Sequence, residues 1–288
     1  MSSEEKPPRG IGELATWAER KLRAAALATP RLDAEVLLGA ALGDRLAVWR
    51  RPESEADPGA RERFLQFVER RLQNEPVAYI LGVKEFWSLE FLVDQRVLIP
   101  RPESETLVEA ALEKFPPGTD VYFADIGCGS GCLAAAYASS NPSARAVAVD
   151  ISAGACALAR QNIERLGLSA RIEVREGDLL EPLGYDRFSF IVANLPYVPA
   201  EQMDELPPGV RLYEPHLALN GGIGGLELVL KLIDGAGEHL NSGGWLILEI
   251  YPRQVEDTVG RLKEAGFVEI TPRQDLSGVV RTVLGKKP

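Results

Sequence analysis

The stretch Val121-Tyr122-Phe123-Ala124-Asp125-Ile126-Gly127-Cys128-Gly129-Ser130-Gly131 decides how this 288-residue chain is read. A short apolar strand, 121–124, runs into three alternating glycines, and a helical segment, 130–140, follows. Glycine at 127 and 129 permits positive φ and lets a ligand approach the backbone closely. The loop amides and the start of the helix suit an anionic group. The next strand, 145–149, ends at Asp150, 23 residues after Gly127. An acid at that distance accepts from both ribose hydroxyls of a nucleoside cofactor.

A dinucleotide loop prefers G-x-G-x-x-G around a pyrophosphate. Here the spacing is G-x-G-x-G with Asp125 just before it. That spacing resembles the loop of S-adenosylmethionine-dependent methyltransferases, whose ligand ends in a zwitterionic amino acid. The candidate cofactor-binding residues are therefore Asp125, Gly127, Cys128, Gly129, Ser130, Gly131 and Asp150. Asp178, past the third strand, is placed to accept from an adenine amino group, with Leu179 beside the ring. Its plainer reading is a turn cap. Cys128 and Cys132 lack a partner histidine for nucleophilic work and read as small residues packed beneath the loop.

Outward from the loop, helical and strand patterns alternate. A helical stripe (Leu107, Val108, Ala111, Leu112, Phe115) precedes the first strand. Helix 153–166 and strands 171–175 and 188–193 follow. Helix 225–240, strand 244–250, helix 253–265 and closing strands near 267–271 and 279–284 complete the chain. The pattern predicts an α/β fold with a doubly wound, mostly parallel seven-stranded sheet.

Residues 1–75 predict a helical bundle instead. Leu14, Ala18, Leu22 and Ala25 share one face, as do Ala34, Leu37, Leu38 and Ala41, and then Phe64, Phe67, Val68 and Leu72. Thr29-Pro30 and Asp57-Pro58 read as caps with first-turn prolines. Between the bundle and a domain at 101–288, residues 76–100 read as a linker. There Phe86–Val93 and Val97–Ile99, separated by Asp94-Gln95, suggest a β-hairpin.

Composition narrows the class. Lys and Arg number 32 against 42 Asp and Glu, a net charge of −10. That argues against direct DNA binding or coating of RNA, which is driven by neutralising phosphates. Three unpaired cysteines suggest reduced thiols in a cytoplasmic protein. Two isolated histidines without Cys-x-x-Cys predict no metal site. The N-terminus is polar, with no apolar signal region, and no run approaches the ~20 residues of a membrane span. A chain of this length buries roughly 75% of its unfolded surface and needs no staple.

The strand 188–193 runs into Asn194-Leu195-Pro196-Tyr197, a polar turn at the carboxyl edge of the sheet, where doubly wound folds bind ligands. These residues suit the holding of a planar –NH₂ group. The Asn194 side-chain oxygen accepts one N–H and the Leu195 carbonyl the other. Pro196 holds residue 195 extended, and Tyr197 offers an aromatic wall. Asn194, Pro196 and Tyr197 are the candidate catalytic residues. Residues 195–225 are rich in proline and glycine and read as a long irregular segment bordering a substrate channel.

Together these motifs resemble the release-factor glutamine methyltransferase family (HemK/PrmC type), over nearly the whole sequence. Pro30–Leu38, Pro76–Gly82, Glu85-Phe86-Trp87 and Glu214–Leu219 with Gly221-Gly222 and Gly225-Leu226 are similar to family segments. Ile99-Pro100-Arg101-Pro102-Glu103-Ser104-Glu105 resembles a specific family signature. The resemblance implies S-adenosylmethionine as cofactor, bound by Gly127 to Gly131, Asp150, Leu179 and Asn194, and peptide chain release factors as partners. Their Gly-Gly-Gln glutamine would be methylated on the side-chain amide nitrogen. It implies substrate contacts from Arg101 and from Asn194, Leu195, Pro196 and Tyr197, and release-factor recognition by the N-terminal bundle. The family usually has Asn-Pro-Pro-Tyr, so Leu195 is a departure. Asn-Leu-Pro-Tyr also resembles rRNA adenine-N6 methyltransferases. That reaction, or a non-catalytic partner-binding protein on this fold, is the alternative.

Overall fold

The computed structural model describes residues 6–288. Residues 1–5, the start of the polar N-terminus, lie outside the described residues. The chain forms two compact units. One comprises the described residues through Gly82 together with Pro208–Tyr213. The other comprises Val83–Pro207 and Glu214–Pro288.

The first unit is helical: α1 (Ile11–Ala24), α2 (Pro30–Leu42), α3 (Ala47–Arg50), α4 (Pro58–Leu72) and α5 (Val77–Leu81). Its core joins Leu14, Ala18, Leu22, Leu37, Leu38, Phe64 and Val68, residues that helical spacing placed on inner faces, and adds Trp17, which the spacing did not single out. Ala25 is an exception, because it caps α1 and is exposed. Asp57 caps α4 as expected, its Oδ1 accepting from Ala60 N at 2.9 Å. Thr29 holds the cap position of α2 without capping it. Its hydroxyl donates to Asp33 Oδ1 at 2.7 Å, and Asp33 pairs with Arg71 at 2.8 Å. A threonine donor is used here to orient a buried ion pair.

The second unit opens with a hairpin, β1 (Val83–Phe86) and β2 (Leu89–Leu92). The expected hairpin turned at Asp94-Gln95; the observed turn is Trp87-Ser88, with φ of +54° and +58°. Such a turn normally takes glycine or asparagine. Trp87 is held there from outside, its Nε1 donating to Ser140 Oγ and its backbone N to Glu105 Oε1, both at 2.8 Å.

After the hairpin come α6 (Glu105–Lys114), β3 (Tyr122–Ile126), α7 (Cys132–Ser140), β4 (Arg145–Asp150), α8 (Ala153–Arg165), β5 (Ile172–Glu176) and β6 (Phe188–Ala193). The chain then forms the short α9 (Pro208–Tyr213), which belongs to the first unit. Next are α10 (Glu227–His239), β7 (Leu240–Glu249), α11 (Val255–Glu264), β8 (Val268–Gln274) and β9 (Val280–Lys286). The seven-stranded sheet has the order β5-β4-β3-β6-β7-β9-β8, parallel except for β9, which is antiparallel to both its neighbours. Alternate residues feed two cores. Phe123, Ala146, Ala148, Phe190 and Trp245 face one way, and Ala124, Val147, Val149, Ile191 and Leu246 the other. Four buried alanines of α7 (134, 135, 136 and 138) let that helix lie close on the sheet.

The chain passes from β3 outward through β4 and β5 and then returns to β6 on the other side of β3. That reversal opens a crevice at the carboxyl ends of β3 and β6. The hairpin is tied to its rim. Asn162 of α8 accepts from Leu92 N at 2.7 Å and donates to Leu92 O and to Ser130 O, each at 3.0 Å.

Because Ser88 holds a left-handed backbone, Ser88→Val should lower unfolding stability by about 1–2 kcal/mol, whereas Ser88→Gly should not lower it. Denaturant titration of both variants against the parent chain checks this.

Candidate active site

The crevice is lined mostly by apolar atoms. The glycine loop forms one wall, with Gly127, Gly129 and Gly131 at φ of +73°, +54° and +78°. Gly127 N and Cys128 N both donate to Val149 O, at 2.8 and 2.9 Å, which fastens the loop to β4. A Cβ on Gly127 would lie 2.8 Å from Leu195 Cδ2. The absence of a side chain at 127 is thus what lets the Asn-Leu-Pro-Tyr turn close against the loop.

Asp150, at the tip of β4, accepts from Gly129 N and Ser152 N, each at 2.9 Å. Burial raises its pKa, and those two amides oppose the rise. Its carboxylate is pinned to the loop it serves, with lone pairs left for a ligand. Asp178 and Leu179 also line the crevice. Leu179 has a φ of +48°, unusual for a residue with a branched side chain. Asp178 is engaged by Lys231 of α10 at 2.5 Å, a partner the sequence reading did not foresee. Cys128 and Cys132 also line it, and burial pushes the Cys132 thiol up to about 12, so neither is set up as a thiolate.

Asp125 departs from expectation. It is wholly buried beneath the loop and does not line the crevice. One oxygen accepts from Ala134 N at 3.0 Å, serving the first turn of α7, and the other has no partner. Burial pushes its carboxyl up to about 7. The helix start needed an acceptor, and Asp125 supplies it from below. Gly131 likewise lies outside the lining and serves as the left-handed cap of α7.

Asn194, Leu195 and Pro196 line the crevice from the β6 side. Asn194 Nδ2 donates to Ser104 Oγ at 3.0 Å. Tyr197 does not form the expected wall. Its ring lies parallel to Tyr251 at 6.3 Å, and its hydroxyl donates to Glu249 Oε1 at 3.4 Å. Burial raises its pKa, so it stays a phenol. The segment 195–225 is more ordered than its composition suggested. Val198 bridges Asn220, and Gln254 Nε2 donates to Tyr197 O and Gly224 O, each at 3.0 Å. Gly225 is required there, since a Cβ would sit 2.1 Å from Tyr197 O.

Arg101 reaches the crevice edge and pairs with buried Glu214 at 2.5 Å, while Glu214 Oε2 accepts from Ile99 N at 3.3 Å. Residues 99–105 and 214–219 therefore meet through one ion pair. Glu249, at the end of β7, is a further buried acid, pushed up to about 7 chiefly by burial. The same signal that singled out Asp150 and Asn194, an apolar strand ending in a polar residue, singles out Glu249 in Trp245-Leu246-Ile247-Leu248-Glu249. Among the described residues, no cluster of three or more His, Cys, Asp or Glu side chains is placed to hold a metal ion, and no helix is long and apolar enough to cross a membrane.

With the geometry in place, the comparisons with known proteins are specific. The family described as the PrmC N-terminal domain matches residues 13–82, and the methyltransferase small domain matches residues 104–206. The release factor glutamine methyltransferase of Geobacter sulfurreducens is 42% identical over 277 residues, spanning 96% of each chain. The chain belongs to the release factor glutamine methyltransferase family. The family's protein from Moorella thermoacetica is 44% identical over 234 residues, 81% of this chain and 82% of that one. A Pyrococcus furiosus methyltransferase structure shares the fold at a TM-score of 0.53 and 20% identity, over 76% of this chain and 96% of that one. The catalytic domain of hMettl16 does so at 0.58 and 20% identity, over 80% and 82%.

Gly127→Ala should destabilise the protein by about 1–3 kcal/mol, through overpacking against Leu195 and strain at positive φ. Combined with Leu195→Ala it should cost less than the sum of the two single changes. A double-mutant cycle by thermal unfolding reads that coupling.

Proposed function

We propose that this chain transfers a methyl group from S-adenosylmethionine to the side-chain amide nitrogen of a glutamine in peptide chain release factors, the glutamine of their Gly-Gly-Gln motif. The observation that carries the reading is the pairing of Asn194 and the Leu195 carbonyl with the glycine loop across one crevice, in a chain of this family.

The site suits the cofactor. Ser130 Oγ, on the part of the loop that lines the crevice, is buried without a hydrogen-bond partner. The loop backbone is open at Gly129, where a Cβ would meet nothing within 4 Å. Gly127, Cys128, Gly129 and Ser130 would hold the amino-acid end, Asp150 the ribose hydroxyls, and Asp178 with Leu179 the adenine. When bound, the cofactor supplies an electrophilic methyl group.

The remaining work falls to the protein. An amide nitrogen is a poor nucleophile because its lone pair is delocalised. Asn194 Oδ1 and the Leu195 carbonyl accept its two hydrogens and aim it at the methyl. They also stabilise positive charge as it develops on nitrogen. No strong base is needed beforehand, since the N–H becomes acidic only as the methyl arrives. Leu195 serves through its carbonyl, so it can replace the family's usual proline, and its side chain packs beside Gly127. Arg101, held by Glu214, offers the substrate a cation at the crevice edge.

The first unit would recognise the release factor. Leu32 and Trp49 are 58% and 62% exposed on it, with the Arg31 guanidinium 5.5 Å from the Trp49 ring. Adenine-N6 methylation of rRNA is disfavoured by the net charge of −10 and by relatives that carry the release-factor name over 96% of this chain. The intact loop and turn disfavour a non-catalytic binding protein.

Mass spectrometry of a release factor incubated with the protein and S-adenosylmethionine should show one added methyl group on the Gly-Gly-Gln glutamine. Methylation of a small-subunit rRNA fragment instead would overturn the reading. Asp150→Ala should weaken cofactor affinity at least tenfold by calorimetry, because hydrogen bonds to a charged group contribute about 1.5–3 kcal/mol each. Asn194→Ala should lower turnover by about 10²–10³ while affecting cofactor affinity less. On the first unit, Trp49→Glu should raise KM for the release factor and leave cofactor affinity unchanged.

A further inference from the structure

Ser104 sits at the N-cap of α6, where a serine hydroxyl usually accepts from the helix backbone, yet it makes no cap bond. It is 3% exposed, and its oxygen receives Asn194 Nδ2 at 3.0 Å instead. β6 and β7 pair in parallel with Ala193 opposite Leu248, so Glu249 leaves the sheet at the same edge as Asn194, and the Ser104 and Tyr197 hydroxyls both favour its charged form. Glu249 Oε2 is buried without a hydrogen-bond partner of good geometry, and Tyr197 reaches only Oε1. A buried carboxyl, a serine hydroxyl and the key carboxamide thus meet at one edge of the sheet, the last two lining the crevice.

A carboxamide has two faces of opposite function. Its oxygen accepts from a substrate –NH₂, whereas its own –NH₂ repels one. Nothing in the shape of Asn194 selects between them, and only its neighbours do. An ionised Glu249 accepts hydrogen bonds and donates none. It draws the single Ser104 proton towards itself and leaves Ser104 only lone pairs to offer Asn194. Nδ2 must then face Ser104, and Oδ1 is left for the substrate. We propose that Ser104 and Glu249 are positioning residues that fix which end of the Asn194 carboxamide is presented to the substrate amide. The proposal rests on the methyl-transfer reading of the site.

Protonation reverses the logic. A neutral Glu249 donates to Ser104, whose own proton is then free to point at Asn194 and favour the flipped amide. Its carboxyl is pushed up to about 7 by burial and by Glu103, against Arg281 and the Ser104 and Tyr197 hydroxyls. The orientation of Asn194 therefore titrates near neutral pH, with the productive form present above about 7 and lost below it.

The test follows the side-chain amide resonances of Asn194 in ¹⁵N-asparagine-labelled full-length protein, assigned by their loss in Asn194→Ala. They should move with a midpoint near 7 in the parent chain and stay pH-independent across that range in Glu249→Gln. In parallel, Ser104→Ala should lower kcat about tenfold, the scale of one lost hydrogen bond, with cofactor affinity by calorimetry unchanged. Ser104→Thr, which keeps the hydroxyl, should restore kcat. Resonances that titrate identically in Glu249→Gln, or a Ser104→Ala variant with parental kcat, would overturn the proposal. Failure of the parent chain to methylate a release factor would overturn the functional reading alone, because the resonance titration needs no turnover.

Discussion

At the seam where β3 lies between β4 and β6, two tight turns have to occupy the space that one side chain would fill. The glycine loop leaves β3 and the Asn-Leu-Pro-Tyr turn leaves β6, and parallel pairing brings both out on the same edge. They fit because position 127 carries no side chain and Leu195 packs into the room that this leaves. Everything else in the site is arranged around that contact. Val149 holds the loop from β4, Asn162 holds it from α8, and Asp150 ties its far side down. A crevice assembled this way is set by backbone geometry, so its acceptors are in place before any ligand arrives, the condition under which electrostatic stabilisation is most effective.

The sheet was readable because each central strand is apolar on both faces and ends in a polar or glycine residue at one edge. Strand 188–193 matches the sequence reading residue for residue. The hairpin was misread because its turn uses Trp87 and Ser88, residues with no local preference for positive φ. They are kept there by Ser140 and Glu105, far off in sequence. Adjacency to the glycines and to Asn194 predicts a cofactor contact from Asp125 and an aromatic wall from Tyr197. Both turn away from the crevice, one to serve the start of α7 and the other to meet Glu249. Adjacency in sequence fixes which edge a residue reaches but not which way its side chain turns. Glu249 ends its strand as Asp150 and Asn194 end theirs, but Ile250-Tyr251-Pro252 after it matches no ligand-binding motif, so the sequence alone does not mark the place.

The segments that most resemble the family have a structural job as well as a chemical one. Arg101 and Glu214 lie 113 residues apart and close on each other at 2.5 Å, with Glu214 also receiving the Ile99 amide. A charge as buried as Glu214 is costly to leave alone, so the two segments depend on each other. Replacing either partner would strand the other and let both segments drift from the crevice. Specific signatures of this kind need not mark contact with substrate throughout; several of their residues hold one another.

The inclusion of Pro208–Tyr213 in the first unit has a consequence for how the molecule is made. Tyr213 Oη donates to Gln73 O at 2.9 Å, and Gly209 lies where a Cβ would come within 3.0 Å of Asn74 O. As the chain leaves the ribosome, its first unit therefore remains unfinished until residue 213 has emerged. By then β1 to β6 have all been synthesised. The usual order, in which an N-terminal domain folds before its successor appears, does not complete here. The last piece of the helical unit arrives as a loop of the sheet unit, and a gene split after Gly82 would encode one fragment that lacks Pro208–Tyr213 and a second that carries the whole sheet unit together with that stray piece.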